Sequence, residues 1–226
     1  MTRLLLADVQ PLEDPAVFGR LYGNASPVRR AAADSFRFRK DKLLSIGAAA
    51  LLDRGLAAFG LREKDMSYGR NEYGKPFFPD APGIHFNISH SSTKVAVAFS
   101  DSPVGCDIEQ VADIDLAVAE RFFSRGEYES LMGMPPGERR KAFFRYWTLK
   151  ESYMKAAGLG LRLPPESFSV YPGQDGRASA GGNLPLKEFE LLCPETFEGY
   201  ECALCRKPED NVPEICIFTD WNTTSL

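Results

Sequence analysis

The sequence predicts an α+β fold built from two halves of similar size. Segments with the two-residue alternation of strands and segments with helical periodicity follow one another in the order helix, strands, helices, strands. A turn signal at Asp101–Pro103 falls near the middle of the chain, so we place the boundary near Ser102, with halves at 1–102 and 103–226. The length of 226 residues, 44% of them hydrophobic, supplies enough apolar material for a proper core.

Composition and charge argue against several functional classes. No apolar run reaches the roughly 18 residues of a membrane helix, and Asp8 interrupts an N-terminal apolar stretch too short for a signal peptide. The net charge of −4 argues against nucleic acid as the main partner. Five cysteines, an odd number, suit a reduced compartment, and the two histidines, His85 and His90, argue against a histidine-rich metal site. We therefore expect a cytoplasmic protein that does not enter a membrane.

The first half begins with a predicted helix and continues with a strand pair. Apolar residues recur at helical spacing over about 28–59, and Gly60 with the polar residues after it ends the pattern. A proline-rich loop follows. Alternation over 84–89 and again over 95–99, with a polar turn between the two runs, predicts a hairpin.

The second half opens with a third alternating run, 104–108. Helical residues follow from Asp115, and Ser124 with Glu127 has the spacing of a capping box that starts a short helix. The next helix is predicted over about 138–157, where a glycine ends it. Short strands are predicted in the segments SFSVYP, LKEFELL, YECALCR and EICIFTD.

Asp107 and Glu109 form the first candidate site. Residues two apart on a strand share a face, so the two carboxylates project together with their Cα atoms about 6.6 Å apart. Gly105 lies on the same face and leaves room for a ligand. Two neighbouring carboxylates repel each other, and Mg²⁺, which prefers oxygen ligands, is the natural partner. The alternative is a half-exposed strand with ordinary surface acids.

Glu151 and Lys155 form the second candidate site, on one face of the predicted helix over 138–157. An exposed pair at this spacing would contribute only a few tenths of a kcal/mol. Large side chains nevertheless crowd this helix: Phe143, Phe144, Tyr146, Trp147, Tyr153 and Met154. They predict a buried helix, on which charges require a functional reason.

Phosphate contacts are suggested by two further features. Ser89 and His90 end a predicted strand, with Lys75 nearby in sequence, and offer hydrogen-bond donors that suit a phosphate. Basic residues also concentrate in one segment of this acidic chain: Arg29, Arg30, Arg37, Arg39, Lys40 and Lys42. Such a local patch suits a small anionic ligand, with a solvated helix face as the alternative.

The order and spacing of five motifs resemble those of the 4′-phosphopantetheinyl transferase superfamily: GKP, FNISHS, VGCDIE, FFSRGEY and WTLKESYMKAAGLGL. The resemblance spans about residues 70–165 and is to the larger, surfactin-synthetase-activating (Sfp-type) branch. It implies transfer of the phosphopantetheine arm of coenzyme A to a serine of an apo carrier protein, with release of adenosine 3′,5′-bisphosphate. It also implies two similar α+β halves related by a pseudo-twofold axis, with the active site in the cleft between them.

The resemblance also implies roles for individual residues. Asp107, Glu109 and Glu151 would be Mg²⁺ ligands, Glu151 also the base, and Lys155 a pyrophosphate contact. Glu151, Lys155 and Asp107 are thus the expected catalytic residues. The expected coenzyme A contacts are Lys75, Ser89, His90 and Lys155, with Arg29, Arg30, Arg37 and Lys42 as candidates in the basic segment. For Glu127 we favour the capping role over a role in the site.

Two other functions fit parts of the pattern: a non-catalytic carrier-binding module on the same fold, and a Mg²⁺-dependent phosphohydrolase. The intact Asp107, Glu109, Glu151 and Lys155 disfavour the first, and the second would need water as acceptor. We expect a monomer that binds coenzyme A and an apo acyl or peptidyl carrier protein. Exposed-looking residues could form part of the docking surface: Met132, Met134, Pro135 and Pro136.

Overall fold

The protein has the predicted α+β fold, in which helices pack against two β-sheets. The computed structural model describes residues 1–221, apart from the side chain of Leu161. Over this range, no helix is long and apolar enough to cross a lipid bilayer.

The strands, in chain order, are β1 (Arg3–Asp8), β2 (Gly69–Arg70), β3 (Pro76–Phe77), β4 (His85–Ser91), β5 (Lys94–Ser100), β6 (Gly105–Gln110), β7 (Phe168–Pro172), β8 (Arg177–Gly182), β9 (Glu190–Leu192), β10 (Tyr200–Arg206) and β11 (Glu214–Phe218). The α-helices are α1 (Pro15–Asn24), α2 (Pro27–Ser35), α3 (Arg39–Ala57), α4 (Val118–Phe122), α5 (Arg125–Gly133) and α6 (Pro136–Ala157). The first sheet has the strand order β11-β1-β5-β4 and the second β6-β10-β9-β8-β7, while β2 and β3 form a separate small hairpin.

The helix predicted over 28–59 is in fact two helices, α2 and α3, separated at Phe36–Phe38. Ser26 caps α2, because its Oγ accepts a hydrogen bond from Arg29 N at 3.2 Å, and Pro27 occupies the first turn. The backbones of Phe36 and Phe38 are extended, and their side chains are exposed. The prediction of one continuous helix was wrong because apolar periodicity continues through the break.

Two elements near the N-terminus were not predicted. Strand β1 lies between β5 and β11, and Leu4, Leu5 and Leu6 are all buried, so it lacks the alternation of a half-exposed strand. Helix α1 begins after Asp14, whose Oδ1 accepts a hydrogen bond from Ala16 N at 2.8 Å.

The last strand of the described chain returns to the first sheet. Strand β11 pairs in parallel with β1, with Cys216 opposite Leu5. Trp221 follows it, is buried in the core of the first half, and donates from Nε1 to Asp8 O at 2.7 Å. The predicted half 103–226 thus contains a strand that completes the other sheet, and its residues 222–226 lie outside the described part of the chain.

Helix α6 packs directly against β6, and Gly105 makes this close approach possible. A Cβ atom at Gly105 would lie 2.0 Å from Ser152 O and 2.4 Å from Ala156 N. The glycine therefore makes room for the α6 backbone, not for a ligand as its sequence context suggested. This packing fixes Glu151 and Lys155 of α6 against β6.

Strands β4 and β6 run side by side where the two sheets meet, and side chains link them. Asn87, Ser89 and Ser91 alternate along β4. Their side-chain oxygens accept from backbone N–H groups of β6, namely those of Cys106 (2.8 Å), Ile108 (3.5 Å) and Gln110 (3.2 Å), respectively. We call this contact the β4–β6 seam, and the candidate site lies along it.

Candidate active site

A cavity of about 580 Å³ opens beside the β4–β6 seam, with walls from α2, α3, β4, β6 and α6. Seven of the predicted site residues line it: Arg29, Ser89, His90, Asp107, Glu109, Glu151 and Lys155. Residues that the sequence had not assigned to a site complete the lining: Ala32, Phe36, Asp41, Leu44, Ser45, Ala48, Ile88 and Trp147. The cavity is thus formed by side chains from both predicted halves.

Lys155 joins the carboxylates of the site. Its Nζ lies 2.5 Å from Asp107 Oδ1, donates to Ser89 Oγ at 3.1 Å, and is 4.0 Å from Glu151 Oε2. Burial alone would lower the pKa of Lys155, but the charge of Asp107 and its hydrogen bond outweigh burial and raise that pKa. Lys155 therefore stays charged at neutral pH.

Two serines of β4 orient the two carboxylates of β6. Ser89 Oγ donates to Asp107 Oδ1 at 2.6 Å, and Ser91 Oγ donates to Glu109 Oε2 at 2.6 Å. Ser91 was not predicted as a site residue. The signal for it lay in its two-residue spacing from Ser89, which places both side chains on one face of the strand.

The surroundings of Glu109 and Glu151 disfavour the charged forms of both carboxyl groups. Burial and the charge of Asp107 raise the pKa of Glu151, against the opposing effect of Lys155. Burial and the same charge raise the pKa of Glu109, although the hydrogen bond from Ser91 lowers it. A cation between these carboxylates would relieve both effects.

The donor set fits a hard divalent cation such as Mg²⁺. Asp107 Oδ2 is buried and has no hydrogen-bond partner among the described residues. Over residues 1–221, no three His, Cys, Asp or Glu side chains form a preassembled metal site. Mg²⁺ commonly binds through one or two carboxylates and completes its shell with waters and substrate phosphates. The residues present therefore fit a cation that binds together with a phosphate group.

His90 faces the same cavity from the end of β4. Desolvation of the imidazole and the charge of Lys155 lower the pKa of His90, with a smaller opposing effect from Asp41. The ring is therefore neutral at pH 7 and presents one N–H donor, which suits a phosphate oxygen.

Lys75 does not line this cavity and is engaged elsewhere. Its Nζ donates to Val104 O at 3.0 Å, Lys155 O at 2.6 Å and Ala156 O at 3.3 Å, so the ammonium binds the C-terminal carbonyls of α6. Burial lowers the pKa of Lys75 to about 8. A contact between Lys75 and a coenzyme A phosphate would require this ammonium to leave the three carbonyl groups, and that contact stays a prediction.

Among the basic side chains of the segment 29–42, the cavity lining includes that of Arg29. Arg30, Arg37 and Lys42 do not line it. Arg30 Nη1 donates to Gly23 O at 3.4 Å, and the exposed Arg37 packs over the ring of its neighbour in sequence. The break between α2 and α3 changes the helical phase of Arg37 and Lys42 relative to α2. The expected coenzyme A contacts of Arg30, Arg37 and Lys42 stay predictions.

Glu127 and Lys150 form a buried ion pair beneath the site. Lys150 Nζ lies 2.8 Å from Glu127 Oε2 and also donates to Pro165 O and Phe168 O, at 2.8 and 2.6 Å. The Glu127 carboxylate accepts from Ser124 N at 2.7 Å, as the predicted capping box requires. The capping role of Glu127 is confirmed, and the pair joins α5, α6 and β7.

Two cysteines of β10 have CxxC spacing but form no reactive site. Cys202 and Cys205 are free and buried on β10. Burial raises the pKa of both thiols, so they stay protonated and unreactive at neutral pH.

Comparisons of the sequence with a family model and with curated proteins agree on one family. A family model described as the 4′-phosphopantetheinyl transferase superfamily matches residues 103–205. The 4′-phosphopantetheinyl transferase ffp of Bacillus subtilis is 41% identical over 165 residues, covering 71% of this chain and 72% of that protein. The 4′-phosphopantetheinyl transferase Sfp of Bacillus subtilis strain 168 is 37% identical over 199 residues, covering 86% and 87%. The crystal structure of the Thermotoga maritima holo-[acyl-carrier-protein] synthase aligns with 46% of this chain and 61% of that chain, at 20% identity and a TM-score of 0.39.

Proposed function

The chain belongs to the 4′-phosphopantetheinyl transferase superfamily, in its Sfp-type branch, and we propose that the cavity beside the β4–β6 seam is its active site. The protein transfers the 4′-phosphopantetheine group of coenzyme A to a serine of an apo acyl or peptidyl carrier protein, with release of adenosine 3′,5′-bisphosphate. One observation carries the location of the site. Lys155 Nζ contacts Asp107 Oδ1 there, while the other oxygen of the same carboxylate, Asp107 Oδ2, is buried and has no hydrogen-bond partner in the described chain.

In this proposal the pyrophosphate of coenzyme A lies in the cavity, against the side chains that β6 and α6 present there. Asp107, Glu109 and Glu151 would hold Mg²⁺, which when bound neutralises charge on the pyrophosphate oxygens. Ser89 and Ser91 keep the β6 carboxylates in place, and the neutral His90 donates its N–H to a phosphate oxygen. The transferred group is thereby oriented before the carrier protein arrives.

Glu151 acts as the base. It takes the proton of the carrier serine while the serine oxygen attacks the phosphorus that bears the pantetheine arm. A P–O bond to the serine forms, and the bond from this phosphorus to the bridging oxygen breaks. The electron pair of that bond stays with adenosine 3′,5′-bisphosphate, whose charge Lys155 offsets. The carrier supplies the nucleophile, so no side chain of this chain needs to form a covalent intermediate.

The proposal also includes the partners of the enzyme and the cellular compartment in which it works. The enzyme works as a cytoplasmic monomer with coenzyme A and an apo carrier protein, and neither nucleic acid nor a membrane takes part. The halves 1–102 and 103–226 enclose the substrate between them, since α2, α3 and β4 supply one wall and β6 and α6 the other. Exposed residues around Met132 remain the predicted docking surface for the carrier.

The decisive test is the mass of a carrier protein after incubation with the enzyme, coenzyme A and Mg²⁺. We expect apo carrier to gain the mass of one phosphopantetheine group. The reaction should be run with fatty-acid, polyketide and nonribosomal-peptide carriers, because the type of carrier served is open. Unmodified carriers in all three classes would contradict the proposal, and coenzyme A cleavage without any carrier would favour a phosphohydrolase.

A further inference from the structure

Arg29 reaches the cavity from α2, on the wall opposite the carboxylates. Its side chain is only 17% exposed. Over the described residues, hydrogen bonds engage its backbone N–H and its Nε, whereas Nη1 and Nη2 make none. A guanidinium held in this way presents two parallel donors, the arrangement that binds a phosphate through two hydrogen bonds.

A buried hydrogen-bond network holds both the backbone N–H and the side-chain Nε of Arg29. Its backbone N–H donates to Ser26 Oγ at 3.2 Å, and its Nε donates to Tyr68 Oη at 3.3 Å. Both hydroxyl groups in turn donate to Glu63 Oε1, at 2.7 Å from Ser26 and 2.5 Å from Tyr68. Glu63 is 1% exposed, and its second oxygen accepts from Ser26 N at 2.8 Å. One carboxylate therefore fixes the backbone and the side chain of Arg29 together.

The network is itself anchored to rigid parts of the first half. Asp53 of α3 accepts from Glu63 N at 2.9 Å, which holds the segment that carries Glu63. The ring of Tyr68 packs edge-on against Phe78 and Phe86 in the core, and the Arg29 guanidinium lies 4.9 Å from its centroid. Removal of the Tyr68 hydroxyl would leave this packing in place.

We propose that Glu63 and Tyr68 are positioning residues that hold Arg29 ready for the 3′-phosphate of coenzyme A. This inference rests on the proposed function. The pyrophosphate must lie near Lys155 and the carboxylates to react, so the 3′-phosphate is the anionic group left for the opposite wall. Apolar side chains such as Phe36 and Leu44 lie in the same cavity and suit the adenosine between the two phosphate sites.

The test measures binding of adenosine 3′,5′-bisphosphate and of adenosine 5′-monophosphate by calorimetry, with Tyr68→Phe as the variant. We expect Tyr68→Phe to weaken bisphosphate binding about threefold to tenfold, the loss typical of one hydrogen bond, and to leave monophosphate binding unchanged. In an Arg29→Ala background, Tyr68→Phe should have no further effect. Tyr22→Phe is the matched control. It also removes a hydroxyl that donates to a carboxylate, that of Asp34 at 2.6 Å, but Tyr22 does not line the cavity.

Three results would overturn the inference: unchanged bisphosphate binding in Tyr68→Phe, an equal loss for both nucleotides, or a wild-type protein with no preference for the 3′-phosphate. The readout is separate from that of the proposed function. If the wild-type protein modifies carriers and any of these three binding results is obtained, the proposed function stands and only the inference about Arg29, Glu63 and Tyr68 fails.

Discussion

The ammonium of Lys75 ties the end of α6 to the first half of the molecule. It binds three backbone carbonyls, two of them in the last turn of α6, where a cation interacts favourably with the helix dipole. One of these carbonyls belongs to Lys155, whose own ammonium contacts Asp107. Lys75 therefore acts on the site through the backbone that carries Lys155.

This arrangement predicts a specific pH dependence of stability. Burial lowers the pKa of Lys75 to about 8, below its value in an unfolded chain. Between pH 8 and 10 the unfolded chain binds more protons at this position than the folded one, so the free energy of unfolding rises with pH. We expect wild type to gain about 2 kcal/mol relative to Lys75→Met between pH 7 and 10, measured by urea denaturation. Parallel pH dependences of the two proteins would contradict this role.

Site residues could be predicted from sequence where a local rule governs them. Asp107 and Glu109 share a strand face, and Glu151 and Lys155 share a helix face, and all four line one cavity. Tyr68 and Glu63 were not predicted as site residues, because their partners lie elsewhere in the sequence. A hydroxyl has no periodic signature that reveals which carboxylate it will meet.

At the scale of elements, α6 is held beneath the cavity by the Glu127–Lys150 pair. The side-chain exposures of the two residues are 1% and 0%, and every charged atom of the pair has hydrogen-bond partners. Such a pair contributes little compared with apolar residues of the same size, but loss of one partner leaves an uncompensated buried charge.

Lys150→Met should therefore lower the free energy of unfolding by about 3–5 kcal/mol. The double variant Glu127→Gln/Lys150→Met should recover part of this loss, since it leaves no unpaired charge. Arg125→Met provides the matched control: its ion pair with Glu129 is exposed, at 91% and 61%, so its loss should leave the free energy of unfolding close to that of wild type. Similar losses for Lys150→Met and Arg125→Met in urea denaturation would contradict this account of α6.

Elements with a strong local signal could be predicted, and those set by tertiary context could not. Helix α6 and strands β4, β5 and β6 follow from their periodicity and match the predicted segments closely. Strand β1 was hidden because both of its faces are buried, and the break between α2 and α3 because it leaves the apolar pattern intact.

At the scale of the whole molecule, the proposed active site depends on how the two sheets meet. The β4–β6 seam places the serines of one sheet against the carboxylates of the other, and α6 closes the cavity because Gly105 lets it approach β6. The return of β11 to β1 then binds the far end of the described chain to the first sheet. Sequence patterns predicted two α+β halves but not this exchange of a strand, because strand pairing between distant segments leaves no local signal.

The central claim is that the carboxylates at the β4–β6 seam carry the transfer of phosphopantetheine. The most direct measurement compares the rate of carrier modification, followed by intact mass, for wild type, Asp107→Asn and the control Asp175→Asn. Asp175 is an exposed turn residue that bonds only its own loop, at Arg177 N, over the described chain. We expect Asp107→Asn to reduce the rate at least about 100-fold at saturating coenzyme A and Mg²⁺, and Asp175→Asn to retain it. A rate for Asp107→Asn within about threefold of wild type would place the chemistry elsewhere and contradict the account.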